Sequence, residues 1–302
     1  MKKKYKNIIE YSAFRVFIFI FKLLPYKMSL WKLKKIFLFG GYTLGFRKKV
    51  GMDNLNLVYP DKSELEKKKI LKQMYVAMGA TAAESFIQKD EDFLNRVSCV
   101  GMEKMQEAYD MGKGVILASA HLGNFEMAGR YLSRNNFQTS VVAKKQRNGL
   151  FHEYTMIDRR KYNIEIIGMK LAVRTILKLL RKNYIVGIMM DQNAGRKGIL
   201  TNFMGHPAST FAGTARIAMK TGCPVIVGVP IRQPDESQIF YFEGPYFASD
   251  YSDDLEGQVA FTQFISTKLE KYIHQYPEQW FWVHRRWRGE KKAKTALKSF
   301  TS

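Results

Sequence analysis

Apolar residues in this chain follow two different spacings. Over 62–88, Leu65, Ile70, Leu71, Met74 and Met78 recur at helical intervals, and Asp61-Lys-Ser63 supplies capping residues for a helix start. From about residue 112 short apolar runs alternate with periodic stretches. Gly114-Val-Ile-Leu-Ala-Ser119, Thr139-Ser-Val-Val-Ala143, residues 164–167, Tyr184-Ile-Val-Gly-Ile-Met-Met190 and Pro224-Val-Ile-Val-Gly-Val-Pro230 predict strands. Helices are predicted over 125–135, over the stretch leading to Tyr162, over 171–183 and over 209–221. The last has capping residues at its start and Gly222 just past its end. Strands and helices alternating in this way predict an α/β sandwich with a largely parallel central sheet.

The first forty residues break this alternation. Phe14-Arg-Val-Phe-Ile-Phe-Ile-Phe21 is apolar but too short and too interrupted for a confident span of about 20 residues. No small-residue cleavage site follows it, so a removable signal peptide is not expected. In Leu30-Trp31-Lys-Leu33-Lys-Lys-Ile36-Phe37-Leu-Phe39, apolar groups alternate with lysines at helical spacing. That is the composition of a helix lying in a membrane interface, with a buried, Lys-flanked core helix as the lesser alternative.

Charge sharpens the picture. The formal net charge is +22. Residues 1–50 hold eleven Lys and two Arg against Glu10 alone, and residues 268–302 hold nine basic and three acidic side chains. Both ends therefore face an anionic partner, and the apolar start favours lipid head groups over nucleic acid. The Lys-rich start also points to the cytoplasmic side of a membrane. Hydrophobic residues at 46% leave ample material for a core and no case for disorder. Cys99 and Cys223 stand far apart, in no zinc or redox pattern, and no disulfide is expected.

Candidate chemistry concentrates where the first central strand ends, at Ala118-Ser-Ala-His121-Leu-Gly123-Asn124-Phe-Glu126. Ligands of parallel sheets sit at the carboxyl ends of strands. Gly123 permits a sharp turn, and amides at a helix start are donors for developing negative charge. His121 and Glu126 are the parts of a general base and its orienting partner. On one continuous helix they would point about 140° apart, so they meet only if His121 lies in the turn and Glu126 in the helix. The plainer alternative is a capped, hydrogen-bonded histidine. No second His or Cys cluster lies near enough to suggest a metal.

His-x4-Glu after a small-residue strand resembles the signature of glycerolipid and lysophospholipid acyltransferases. The fuller His121-Leu-Gly-Asn-Phe-Glu126 is similar to that of the lipid A biosynthesis lauroyl/myristoyl acyltransferase family. Four further blocks resemble the same family in order. They are Arg47-Lys-Lys-Val50 with Asn54-Leu55 and Tyr59-Pro60; Asp191-Gln192-Asn-Ala-Gly195-Arg196 with Phe203-Met-Gly205-His-Pro207-Ala-Ser-Thr210; Gly213-Thr-Ala-Arg216-Ile-Ala218 with Thr221-Gly-Cys-Pro224-Val225; and Tyr276-Pro277-Glu278-Gln279-Trp280-Phe-Trp282-Val-His284-Arg285-Arg286-Trp287. Two departures stand out: no proline follows Arg147-Asn148, and Asn193 stands where a second Asp is common in the family.

The resemblance implies a glycerolipid acyltransferase-like fold and transfer of a fatty acyl group from acyl carrier protein or acyl-coenzyme A to a hydroxyl of a lipid A precursor. It implies His121 as base and Glu126 as its orienting partner, with no cofactor or metal. It places the protein on the bacterial inner membrane, with its site on the cytoplasmic face. A phosphatidylinositol mannoside or a lysophospholipid is the alternative acceptor, and a non-catalytic membrane-binding protein is the alternative class. Residues 1–45 then form a membrane-associating segment, 46–290 the catalytic domain and 291–302 a basic tail.

Substrate contacts are expected from Gly123, Asn124, Arg147, Arg159, Arg160, Arg174, Asp191 and Gln192, the arginines because guanidinium forks match phosphate geometry. Arg174 sits on an apolar helical stripe, where a charge needs either substrate or a salt bridge to Asp191. Arg159 and Arg160 have a solvated helix face as their alternative, and Asp191 a capping role. Trp280, Trp282 and Trp287, interleaved with Arg285, Arg286 and Arg288, suggest interfacial anchors. His206 reads as structural, and His152 and His274 as surface residues.

Overall fold

The computed structural model describes residues 2–143, 146–169 and 172–288; the basic tail expected at 291–302 lies outside the described residues. The chain opens with α1 (Lys2–Leu23) and α2 (Tyr26–Leu38), which runs into a π-helical turn at Phe39–Thr43. Next come α3 (Lys48–Val58), α4 (Glu64–Phe86), α5 (Asp90–Leu94), β1 (Val97–Val100), α6 (Met102–Asp110) and β2 (Val115–Ser119). A single 3-10 turn, Phe125–Met127, enters α7 (Ala128–Arg134), followed by β3 (Thr139–Ala143), α8 (Gly149–Arg160), β4 (Glu165–Gly168), α9 (Ala172–Leu180) and β5 (Ile185–Met189). The hairpin β6 (Ile199–Phe203) and β7 (His206–Thr210) leads to α10 (Gly213–Thr221), β8 (Val225–Arg232), β9 (Gln238–Tyr246) and α11 (Leu255–Gln275).

The seven-stranded sheet has the order β1-β9-β8-β2-β5-β3-β4. Strands β8, β2, β5, β3 and β4 run parallel; only the β8–β9 pairing is antiparallel, so β9 and β1 run against the rest. The expected parallel sheet is present, and β1 and β9 extend it along one edge. Every residue of β2 is buried, because helices cover both faces. Ile116 and Ala118 pack in the cluster with α9, α10 and α11, whereas Val115 and Leu117 pack with α6 and α7. Alternation of side chains across a strand produces this division.

One helix boundary differs from expectation. Ser209 and Thr210 do not open a helix but end β7, paired with Leu200 and Ile199. Their hydroxyls are engaged elsewhere: Ser209 Oγ donates to Gly195 O (2.7 Å), and Thr210 Oγ1 pairs with Thr201 Oγ1 (2.7 Å). Helix α10 begins only at Gly213, after Ala212, with no side-chain cap. At α4, by contrast, Ser63 and Glu66 form a reciprocal capping box.

The closing block is core. Trp280 (1% exposed), Trp282 (0%) and Trp287 (7%) are buried, which overturns their expected role as interfacial anchors. Arg286, with 0% exposure, donates to Ser209 O and to Thr210 Oγ1, both at 2.6 Å. Arg285 and Arg288 remain exposed.

The N-terminal helices pack on α4 through Ile18, Phe21, Leu33, Ala83 and Ile87. Each reading of the 30–39 stretch holds for one face of α2: Leu33 is buried, while Trp31 and Ile36 are exposed. Among the described residues no helix is long and apolar enough to cross a membrane. Close approach of α2 and α4 depends on Gly79, where a Cβ would lie 2.7 Å from Leu33 O. Gly79→Ala is therefore expected to push α2 off α4 and to destabilise the fold by about 1–3 kcal/mol, the usual cost of overpacking. Thermal denaturation checks this, and an unchanged midpoint would refute the close contact.

Candidate active site

Strands β2 and β5 pair in parallel with Ser119 opposite Met189, and Met190 N–H donates to Ser119 O (2.9 Å). Two residues beyond that pair, the chains leave the sheet side by side, and His121 faces Asp191. Asp191 Oδ2 accepts from the backbone N–H of His121, and Oδ1 from its Nδ1, both at 2.8 Å. The indole Nε1–H of Trp280 donates to Oδ2 at 2.8 Å. Asp191 is only 2% exposed, so these three donors replace the water that a carboxylate otherwise needs.

A carboxylate only accepts, so Asp191 keeps a proton on His121 Nδ1 and leaves Nε2 as the basic nitrogen. Gln192 Nε2 lies 3.2 Å from that atom, in position to donate to it. The rings of Phe125 and Phe281 flank the imidazole, with centroids 4.8 and 6.3 Å away. Burial alone would lower the His121 pKa. The charge and hydrogen bond of Asp191, with a smaller contribution from the Glu126 charge, outweigh burial and leave it above 6.5. Burial pushes the Asp191 carboxyl up, but His121 and the other donors bring it below 3.8.

The closing block clasps the turn from the other side. His121 O accepts from Phe281 N–H (3.1 Å), Leu122 bridges to Trp280, and Gly123 N–H donates to Gln279 O (3.3 Å). Gly123 has φ +55°, and a Cβ there would lie 2.1 Å from Pro230 O, so no larger residue fits. Its amide is committed to Gln279 and is not a free donor for an oxyanion.

The other expected residues fall into two groups. Glu126 accepts from Arg159 Nη2 (2.7 Å), with 40% of its side chain exposed. Among the described residues it makes no hydrogen bond to His121. The orienting carboxylate is that of Asp191, seventy positions away in sequence. Gly123, Glu126 and Arg159 line one cavity with His121. Asn124 is fully buried and donates to Glu84 Oε2 (2.7 Å), outside that cavity lining.

Arg160 pairs with Glu153 on the surface (3.0 Å). Arg147 is exposed beside Gln146, which lines the cavity. Arg174 is exposed on α9, and the bonds of Asp191 go to His121 and Trp280, so the alternative salt bridge does not form. Asn193 bonds the carbonyls of Arg286 and Arg288, a structural role in keeping with its lack of charge. His274 is exposed, as expected. His152 instead lines the cavity.

The cavity measures about 600 Å³. Its floor is one face of the sheet, with Leu117 of β2, Ile185 and Gly187 of β5, and Thr139 and Val141 of β3; Leu132 and Met156 close the helical side. Sequence reading missed Trp280 and Phe281 as site residues, although both stood in a block already singled out.

A family model described as bacterial lipid A biosynthesis acyltransferase matches residues 1–289. The Escherichia coli (strain K12) lipid A biosynthesis lauroyltransferase is 25% identical over 247 residues, 80% of this chain and 79% of the relative. The palmitoleoyltransferase of the same organism is 24% identical, over 83% of this chain and 82% of the relative. A phosphatidylinositol mannoside acyltransferase of Mycobacterium tuberculosis (strain CDC 1551 / Oshkosh) is 25% identical over 62% of this chain and 58% of the relative.

Loss of the Asp191 charge removes the main force opposing desolvation at His121. Asp191→Asn is expected to drop the imidazole titration below 6.5, and with it the window in which protonated His121 adds stability. In the wild type that contribution is complete below 6.5 and fades as pH rises through the raised value. NMR titration of the histidine ring checks the shift; an unmoved pKa would mean that Asp191 does not hold the ring.

Proposed function

This chain belongs to the bacterial lipid A biosynthesis acyltransferase family, and from that premise we propose that it moves a fatty acyl chain from a thioester to a hydroxyl of a lipid A precursor, with His121 as general base. The observation that carries the reading is the Asp191–His121 pair, whose histidine lines an apolar cavity. Nε2 of His121 takes the proton as the acceptor oxygen attacks the thioester carbonyl. The new C–O bond forms, the C–S bond breaks, and the imidazolium returns its proton to the departing thiolate. Asp191 stabilises the imidazolium between these two transfers.

Glu126 has a different part from the one its spacing suggested. It holds Arg159 on the cavity wall, where the guanidinium meets the anionic groups of the acceptor, and its charge adds to the basicity of His121. Gln192 donates to Nε2 until the acceptor hydroxyl takes that place. The donor is acyl carrier protein or acyl-coenzyme A.

The cavity takes the acyl chain, and its apolar floor supplies the binding energy. Residues 1–45 bind the membrane. In α1 the exposed Ile9, Val16, Phe19, Ile20 and Leu23 project away from the core, beside the exposed Trp31 of α2. With their lysines these helices lie in the interface of the inner membrane, site toward the cytoplasm. The mycobacterial relative, at similar identity, supports a second reading in which the acceptor is a phosphatidylinositol mannoside.

His121→Ala is expected to lower acyl transfer by about 10²- to 10⁴-fold while binding to anionic vesicles persists. Mass spectrometry of cellular lipid A, with and without the protein, tests the acceptor. Loss of one acyl chain is expected without it; an unchanged lipid A with altered glycolipids would transfer the reading to the second acceptor. Gly187 sets the depth of the cavity floor, and a Cβ there meets only ordinary contacts, at 3.5 and 3.6 Å. Gly187→Leu is expected to shift the transferred chain to a shorter one, and an unaltered chain profile would place the acyl group elsewhere.

A further inference from the structure

Behind the catalytic turn lies a buried ion pair that the chemistry above does not use. Glu84 of α4 is 1% exposed, and the Arg232 side chain at the end of β8 is 8% exposed. Glu84 Oε1 accepts from Arg232 Nη1, and Oε2 from Arg232 Nη2 (2.8 Å) and from Asn124 Nδ2 (2.7 Å). Gln238 Nε2 reaches Oε1 at 3.4 Å. Both backbone polar groups of Gly123 end on partners of the same arginine. Gly123 O accepts from Thr81 Oγ1 (3.4 Å), which Arg232 Nη2 approaches to 3.3 Å. Gly123 N–H donates to the carbonyl of Gln279. The side chain of Gln279 is bonded at both ends to the Arg232 backbone, each at 2.9 Å. Glu236 touches Arg232 Nη1 (3.4 Å) and is held in turn by Lys34 of α2.

Besides the clasp of the closing block, the turn from His121 to Asn124 is thus fastened at both ends: through Asp191 at its start, and through this pair at its end. We propose that Glu84 and Arg232 are positioning residues for acyl transfer, fixing the turn so that His121 Nε2 faces the cavity. The proposal rests on the functional reading above. A buried pair suits the task because its geometry is rigid and its charges have no solvent to turn to. A general base needs such rigidity, since a displacement of about 1 Å costs up to about 10²-fold in rate.

The test uses the full chain in detergent micelles, with lauroyl thioesters of acyl carrier protein and of coenzyme A as donors. Asn124→Ala cuts the link between turn and pair without unpairing a charge, and Glu84→Gln weakens the pair itself. Both are expected to lower kcat about 10- to 100-fold, with KM within about twofold and unfolding still cooperative. NMR titration of His121 is expected to fall toward 6.5 as its contact with Asp191 loosens. A purely structural pair predicts otherwise: a lower melting point, with wild-type kcat per folded molecule and an unmoved His121 titration in Asn124→Ala. That result would overturn the proposal. If Glu84→Gln does not fold, Asn124→Ala decides alone. A wild type inactive with both donors would refute the functional reading instead, and the His121 titration would still test the positioning.

Discussion

The site depends on one buried carboxylate. Asp191 stands two residues beyond the end of β5, is withdrawn from water and accepts three hydrogen bonds, from the amide and ring of His121 and from the indole of Trp280. Two of these donors are on His121 and the third is on Trp280, so solvating this single charge joins the turn after β2, the turn after β5 and the closing block. Removal of a donor leaves a buried anion short of a partner, at a cost of about 1–3 kcal/mol or more. The carboxylate is therefore a structural requirement as well as the group that sets the basicity of His121. The packing of the turn and the basicity of His121 depend on the same residue, for the same electrostatic reason.

Much of this was legible in the residues, and the boundary between what was and was not is physical. Strands β2, β5 and β8 announce themselves as apolar runs, because strands buried on both faces have no polar alternation. Gly123 announces its turn. The partner of His121 does not announce itself, since a local reading seeks it within a helical turn and finds Glu126. The true partner is adjacent only because β5 lies beside β2 in the sheet, with β3 and β4 displaced to one side. Strand order is a property of the whole chain. Trp280, Trp282 and Trp287 show the same difficulty. Aromatic residues interleaved with arginines resemble an interfacial belt by composition, yet these rings pack on one another and on Phe203, with Arg286 stacked 4.5 Å over Phe203.

The start of β9 and the end of β8 carry a second lesson about charge in the interior. Arg232 and Glu84 look unremarkable in sequence, one following an apolar strand and the other on a helix of mixed composition. Folding brings them together out of solvent, where each is tolerable only because of the other. Their neighbours Thr81, Asn124, Gln238 and Gln279 add further hydrogen bonds to the pair. The polar groups beneath the turn thus form one connected set, and through Glu236 and Lys34 that set reaches α2.

That connection explains why the N-terminal helices belong to the site and not merely to the surface. Phe14 of α1 packs edge-on against Phe86, Phe151 and Tyr154, with centroids 5.5, 4.9 and 5.6 Å away. All three of those rings, with Phe37 of α2, line the cavity. The same helix turns Val16, Phe19 and Ile20 outward. One helix therefore joins the cavity lining, through Phe14, to an apolar outer face. A lipid substrate has an apolar tail to bury and a polar head to present to His121. On the function proposed above, apolar groups at the outer face and in the cavity would both receive the tail, and the desolvation cost would fall chiefly on the reacting head.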